Sequence, residues 1–143
     1  MPRKSADFRT TDRIRVAAPP VAMTVVLVAL HAMPGGSLHG QDWWMQWRLD
    51  LLLHAFLFGL WGLTLMVALR KGQSSGWGCE RAWPFTVASG LLLALTLEWA
   101  QSALFVGRGQ DVFDVLADVF GLLAAGFAFQ ALYLEWPVGK RTL

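Results

Sequence analysis

The chain has 143 residues, of which 55% are hydrophobic and 15% are charged, and its net charge is +2. With a mean hydropathy of +0.45, this composition excludes an ordinary soluble domain, and the basic residues outside the apolar runs give no support for nucleic-acid binding. The single cysteine excludes an intrachain disulfide and a cysteine-rich metal site.

Four long apolar runs follow one another along the chain. They cover about residues 16–33, 49–69, 83–105 and 112–133. At a rise of about 1.5 Å per residue, each run is long enough to cross a hydrocarbon core. We therefore predict an all-α membrane protein, an antiparallel bundle of four transmembrane helices. The predicted domain spans residues 16–136, between a basic tail at 1–15 and a short tail at 137–143.

The distribution of basic residues predicts the orientation of this bundle. Five Lys and Arg residues precede the first run, three lie between the second and third runs, and two follow the last run. The other two loops hold one each, Arg48 and Arg108. Because cytoplasmic loops carry the excess of positive charge, both termini are predicted to lie in the cytoplasm.

Polar and ionisable residues interrupt the apolar runs near their predicted outer ends. The candidate site residues are Asp50, His54, Glu98, Gln101, Arg108, Asp114 and Asp118. An ionisable residue inside a membrane helix is costly and is a functional candidate by default. Asp50 and His54 are four residues apart and share a helix face, and such a pair can hold one proton.

One stripe of the fourth run combines acids with small residues. Asp114, Asp118, Gly121 and Ala125 are separated by four, three and four residues, so they lie on one face of a helix. Gly121 and Ala125 are predicted helix-packing positions, because small residues let membrane helices approach closely. The acids on the same face are therefore expected to face protein.

Several of these residues also have ordinary structural interpretations. Asp111 and Asp114 resemble an N-cap and its third-position partner, and Arg108 would satisfy carbonyls at a helix end or a lipid phosphate. His31, alone near the end of the first run, is interpreted as a packed or snorkelling histidine. Five carboxylates close to one arginine require protonation, pairing or a bound cation.

The ordered set of motifs resembles the VanZ-like family of small bacterial membrane proteins between about Leu49 and Gly126. The motifs are Asp50-x3-His54, Glu98-x2-Gln101, Gly107-Arg108 and Asp114-x3-Asp118-x2-Gly121. This chain departs from the family pattern at Leu51, Val106 and Asp118, where the family usually has Lys, Pro and Asn. The resemblance implies a multi-pass protein of the bacterial cytoplasmic membrane, in a family linked to glycopeptide (teicoplanin) resistance, and it supplies no reaction.

Three function classes follow from these residues. The first is a binding or structural membrane protein whose polar residues recognise an envelope lipid, a cell-wall precursor or a glycopeptide. The second is an enzyme for a lipid-linked substrate, with Glu98 or Asp114 as general base and Arg108 holding phosphate. The third is a proton-coupled transporter, which would require a homo-oligomer to form a path. No metal-binding motif is present, and neither a metal nor a cofactor is predicted.

Overall fold

The computed structural model describes residues 10–32, 48–72, 77–104 and 111–133, and these residues form four α-helices. Their bounds are Thr10–His31 for α1, Leu49–Gly72 for α2, Trp77–Leu104 for α3 and Val112–Tyr133 for α4. The described residues include no strand. All four helices are long and apolar enough to cross a membrane, as the composition predicts. The chain is therefore an all-α, multi-pass membrane protein.

Two helices begin earlier than the apolar runs indicate. α1 begins at Thr10 and includes residues 10–15 of the predicted tail, and α3 begins at Trp77, six residues before the predicted span. An apolar run bounded by charged residues marks the part of the chain that lies in the hydrocarbon core. The helix itself continues beyond that part where the next residues favour helix. Arg13 and Arg15 are good helix formers, and their side chains are exposed.

Large apolar side chains cover the outside of the helices. Residues at least 60% exposed include Leu52, Phe56, Leu92, Trp99, Phe120 and Phe127. In water such a surface would cause the protein to aggregate, whereas in a bilayer it faces the acyl chains. The exposure pattern therefore agrees with a lipid-facing surface on α2, α3 and α4, which carry these residues.

The interior is packed by residues from all four helices. One cluster of buried residues comprises Leu27, Phe58, Trp61, Ala94, Leu97 and Leu122. A second comprises Met66, Ala82, Ala125 and Phe129. Since lipid is as apolar as these side chains, their contribution is close packing more than removal of apolar surface from water.

The most extensive helix contact joins α2 to α4. A Cβ on Gly121 would overlap the carbonyl oxygen of Ala55, and a Cβ on Gly59 would lie 3.2 Å from the carbonyl oxygen of Gly121. The two backbones therefore touch at this point, as small residues allow in membrane interfaces. This contact lies next to His54 and one turn from Asp118, so it sets the distance between those side chains.

A hydrogen bond also joins α1 to α2. The indole Nε1 of Trp61 donates to the hydroxyl of Thr24 at 2.8 Å, and that hydroxyl donates to the carbonyl of Pro20 at 2.9 Å. Interhelical hydrogen bonds of this kind stabilise membrane helix pairs by about 1 kcal/mol. The contact keeps the C-terminal end of α1 beside the N-terminal end of α2, where His31 and His54 lie.

Candidate functional site

Polar side chains from all four helices meet at one end of the protein. They are His31 of α1, His54 of α2, Glu98 and Gln101 of α3, and Asp114 and Asp118 of α4, here called the buried polar cluster. His31 is the last residue of α1, while His54, Glu98 and Asp118 lie about 7–9 Å from the nearest ends of their helices. The cluster therefore occupies roughly two helical turns at the end of the apolar spans.

The strongest polar contact in the cluster joins α2 to α4. Nδ1 of His54 lies 2.9 Å from Oδ1 of Asp118, and Asp118 is fully buried. On the opposite edge of the ring, Nε2 of His54 lies 4.0 Å from Oδ2 of Asp114. One imidazole thus lies between two carboxyl groups that are one turn apart on the same face of α4.

Glu98 joins α3 to the beginning of α4. Asp111 is the N-cap of α4, because its Oδ1 accepts a hydrogen bond of 2.8 Å from the amide of Phe113. The amide of Asp111 donates to Oε2 of Glu98 at 3.5 Å. In a capping box the third-position side chain would accept that amide hydrogen. Glu98 takes this role from another helix, and Asp114 faces the cluster instead.

Gln101 and His31 connect α3 to α1. The amide nitrogen of Gln101 donates to the carbonyl of His31 at 3.3 Å, and both residues are buried. Nδ1 of His31 lies 2.8 Å from the carbonyl oxygen of Leu27. The His31 ring also packs edge-on against the His54 ring, with 5.1 Å between their centroids. The two histidines are therefore neighbours in the fold.

A rim of more exposed charges lies at the edge of the cluster. The guanidinium of Arg48 is 3.2 Å from Asp111 and 3.7 Å from Asp50, and it lies over the ring of Phe113 at 5.5 Å. Arg48 has a positive φ of 45°, the left-handed conformation, immediately before α2. This backbone turn directs the start of α2 and leaves the Arg48 side chain beside the N-terminus of α4.

Three buried carboxyl oxygens in the cluster have no hydrogen-bond partner among the described residues. They are Oε1 of Glu98, Oδ1 of Asp114 and Oδ2 of Asp118. Buried polar atoms are nearly always paired, since an unpaired one costs about 1–3 kcal/mol. An arrangement of three carboxyl groups and two imidazoles can bind a cation, accept hydrogen bonds from a hydroxyl-rich group, or pass a proton.

The structure brings together His54, Glu98, Asp114 and Asp118, with Gln101 one contact away through His31. Asp50 lies at the rim, where it forms an ion pair with Arg48. The carboxylate that His54 contacts is that of Asp118 on α4. The local pair that the spacing of Asp50 and His54 allows is not formed, because the Asp118 carboxylate of α4 lies nearer to the imidazole than Asp50 does.

The remaining residues named from the sequence are Gly121, Ala125, Arg108 and Asp111. Gly121 lies at the backbone contact between α2 and α4, and Ala125 is buried in the second apolar cluster. Arg108 lies outside the described residues. Asp111 caps α4, as the capping interpretation predicts.

Two residues of the site are missed by reasoning from the sequence, His31 and Arg48. His31 is alone at the end of its apolar run, and no local spacing connects it to a partner 23 residues later in the chain. Arg48 is counted in the sequence only as a loop charge. Both residues lie beside ends of predicted helices, and antiparallel threading would bring those ends together. This position is the signal by which the sequence could have placed them at the site.

Comparisons with protein-family models, with curated proteins and with solved structures find no match for this chain.

Proposed function

We propose that this chain is a VanZ-like protein of the bacterial cell envelope whose buried polar cluster binds the polar group of an envelope molecule. In this proposal the four helices are antiparallel, both termini lie in the cytoplasm, and the cluster lies in the outer half of the cytoplasmic membrane. The cluster then opens towards the leaflet in which exported lipids and cell-wall precursors are found.

One observation carries the proposal. Four helices place three carboxyl groups and two imidazoles in contact, in a protein whose other described surface is largely apolar. Leu, Phe and Ala at these positions would pack without unpaired polar atoms, so helix association does not require acids there. Buried acids that lower the stability of the protein are expected where they bind a ligand or take part in a reaction.

Contacts between helix ends support the proposed threading. The end of α1 meets the beginning of α2 through His31 and His54, and the end of α3 meets the beginning of α4 through Glu98 and Asp111. Both pairings are those of consecutive antiparallel spans. Together with the excess of Lys and Arg in the alternate segments, they favour an extracytoplasmic position for the cluster.

The chemistry of the cluster favours a donor-rich ligand. Glu98, Asp114 and Asp118 offer unpaired acceptor oxygens, and the Arg48 guanidinium at the rim is the described donor suited to a phosphate. A hydroxyl-rich or amine-bearing headgroup attached to a phosphate fits both parts. Lipid-linked cell-wall precursors and glycosylated peptides are molecules of this class, which agrees with a role in glycopeptide tolerance.

The test is the set of molecules that co-purifies with the protein from bacterial membranes in a mild detergent. Mass spectrometry of the extracted molecules should find a polar envelope species with the wild type that is depleted in Glu98→Gln. Thr96→Val is the matched control, since Thr96 is exposed on the same helix and bonds only its own helix backbone. Arg108→Ala tests whether the predicted second guanidinium contributes.

The same set of molecules with wild type, Glu98→Gln and Thr96→Val would contradict the proposal. Each variant must first elute as a monodisperse species with an unfolding transition like that of the wild type. Asp114→Asn provides a second removal of charge should Glu98→Gln fail to fold.

A further inference from the structure

Three potential metal ligands from three helices converge within the buried polar cluster. One ring nitrogen of His31, one ring nitrogen of His54 and one carboxylate oxygen of Glu98 all lie within 4.8 Å of one another. His31 is 7% exposed and Glu98 is 4% exposed, so two of the three are buried. Their positions in the sequence are far apart, and the site has no local sequence motif.

Hydrogen bonds fix which nitrogen of each ring carries the lone pair. Nδ1 of His31 faces the carbonyl oxygen of Leu27, which can only accept, so Nδ1 carries the hydrogen and Nε2 the lone pair in the neutral ring. With Asp118 ionised, Nδ1 of His54 donates in the same way to Oδ1 of Asp118, which leaves the lone pair on Nε2. A carbonyl or carboxylate that accepts from one nitrogen of a histidine is the usual support for metal binding by the other nitrogen.

The carboxyl group of Glu98 has an oxygen suited to complete such a site. Oε2 accepts the hydrogen bond from the amide of Asp111, while Oε1 is buried without a hydrogen-bond partner among the residues described. A carboxylate held by one oxygen and unpaired at the other presents the second oxygen in a fixed direction. Asp114 lies beside it, with Oδ2 4.0 Å from Nε2 of His54.

We propose that His31, His54 and Glu98 bind a divalent transition-metal ion, with zinc the first candidate. Two imidazoles and one carboxylate are an established zinc ligand set that leaves a fourth position for water or a substrate oxygen. Bonds of about 2.0–2.1 Å put tetrahedral ligand atoms about 3.4 Å apart, so the side chains close in by roughly 1 Å. Asp118 and the carbonyl of Leu27 would hold the two rings in place by accepting hydrogen bonds from their other nitrogens.

The charges of the cluster fit this ion. Glu98, Asp114 and Asp118 carry −3 when all are ionised, and a divalent cation leaves −1. The described guanidinium of Arg48 forms its ion pairs at the rim, with Asp50 and Asp111. Magnesium or calcium would be held by carboxylate oxygens and would leave the two histidines unused. Imidazole nitrogen favours zinc and its neighbours in the transition series.

The metal proposal rests on the proposed function in so far as both use the buried polar cluster. A metal with an open position would hold a phosphate or hydroxyl oxygen of the bound headgroup, which specifies how that ligand is recognised. The two proposals nevertheless have separate readouts, zinc for one and the co-purified envelope molecule for the other.

The test is binding of Zn²⁺ alone to the full chain in detergent, in a Cys79→Ser background so that the thiol takes no metal. After removal of metal with a chelator, isothermal titration should show about one Zn²⁺ per chain. His31→Ala and Glu98→Gln should weaken binding about 100-fold or more, since loss of a residue that only supports a ligand already costs about 10- to 100-fold. His39→Gln, which changes the one histidine outside the proposed ligand set, is the control and should bind Zn²⁺ like the parent.

A second measurement needs no change in the cluster. Co²⁺ added to the Cys79→Ser protein should give the visible absorption of a four-coordinate site, and Zn²⁺ should displace it. No zinc binding by the parent protein, or equal binding by His31→Ala and the parent, overturns the proposal. If zinc fails to bind while the envelope molecule still co-purifies in a Glu98-dependent way, the metal site falls and the proposed function stands; the reverse pattern removes the proposed ligand alone.

Discussion

Nδ1 of His54 lies 2.9 Å from Oδ1 of Asp118, and this contact joins α2 to α4 beside the backbone contact between Gly121 and Ala55. Asp118 is fully buried, and the imidazole is the polar group that faces it. The stability of the carboxyl group in this position therefore depends on His54.

Removal of His54 should cost more than neutralisation of Asp118. His54→Ala leaves a buried acid without its partner, which typically costs about 3 kcal/mol, whereas Asp118→Asn retains an oxygen that accepts from Nδ1. In the double variant the asparagine should recover part of the loss, with an interaction energy of about 1–3 kcal/mol. SDS-induced unfolding in mixed micelles, with chelator present, measures all four proteins. Strictly additive effects would show that the two side chains do not interact.

Gly121→Ala should separate α2 from α4. The new methyl group would overlap the backbone of Ala55, which cannot move without shifting the helix, and overpacking of this kind costs about 1–3 kcal/mol or more. Gly62→Ala on α2 is the matched control, because its methyl group would first meet the flexible side chain of Leu122 at 3.1 Å. Unfolding in mixed micelles should give a clearly larger loss for Gly121→Ala. Equal losses would argue against a backbone contact at Gly121.

The Arg48 substitutions should separate backbone strain from the rim ion pairs. Arg48→Ala loses both ion pairs and keeps a side chain in the left-handed region, while Arg48→Gly loses the pairs but relieves the backbone. Since the paired side chains are 40–47% exposed, the ion pairs contribute less than about 1 kcal/mol. Arg48→Gly should therefore be at least as stable as Arg48→Ala in the same unfolding assay. A more stable Arg48→Ala would contradict the left-handed conformation.

The proposed orientation can be tested with the single native cysteine. Cys79 lies in the first turn of α3, at the end of the helix that the charge distribution places in the cytoplasm. A membrane-impermeant maleimide should label it in inverted vesicles and leave it unlabelled in intact cells. An Arg108→Cys variant in a Cys79→Ser background should show the opposite pattern. Labelling of Cys79 from outside would invert the proposed topology and place the cluster in the inner half of the bilayer.

The sequence predicts the helices well because each apolar run is long enough to leave few alternatives in lipid. It also indicates that Asp114, Asp118 and Gly121 share a face, since this depends on helical spacing alone. It fails where contacts between helices decide the outcome. Asp50 and His54 satisfy the local rule for a pair, yet the approach of α4 brings Asp118 to the imidazole at 2.9 Å.

His31 shows the same limit for the site as a whole. Its neighbours in the sequence are apolar, so nothing local distinguishes it from a packed histidine. Only the placement of α1 against α2 and α3 brings it to His54 and Gln101. A ligand set spread over three helices is therefore not predicted from spacing, and the sequence expectation of no metal reflects the lack of a local motif.

The most direct test of the central claim, that the four helices gather their polar residues in one place, is cross-linking between α2 and α4. In a Cys79→Ser background, His54→Cys with Asp118→Cys should be joined by a short bis-methanethiosulfonate reagent in native membranes, seen by mass spectrometry as one linker that bridges both cysteines, in place of two separately attached reagent molecules. Leu52→Cys with Asp118→Cys should not be joined, because Leu52 is 64% exposed and, two residues before His54, lies on roughly the opposite side of α2. Efficient joining of the first pair and not the second is the predicted result. Equal or absent joining of the two pairs would contradict it.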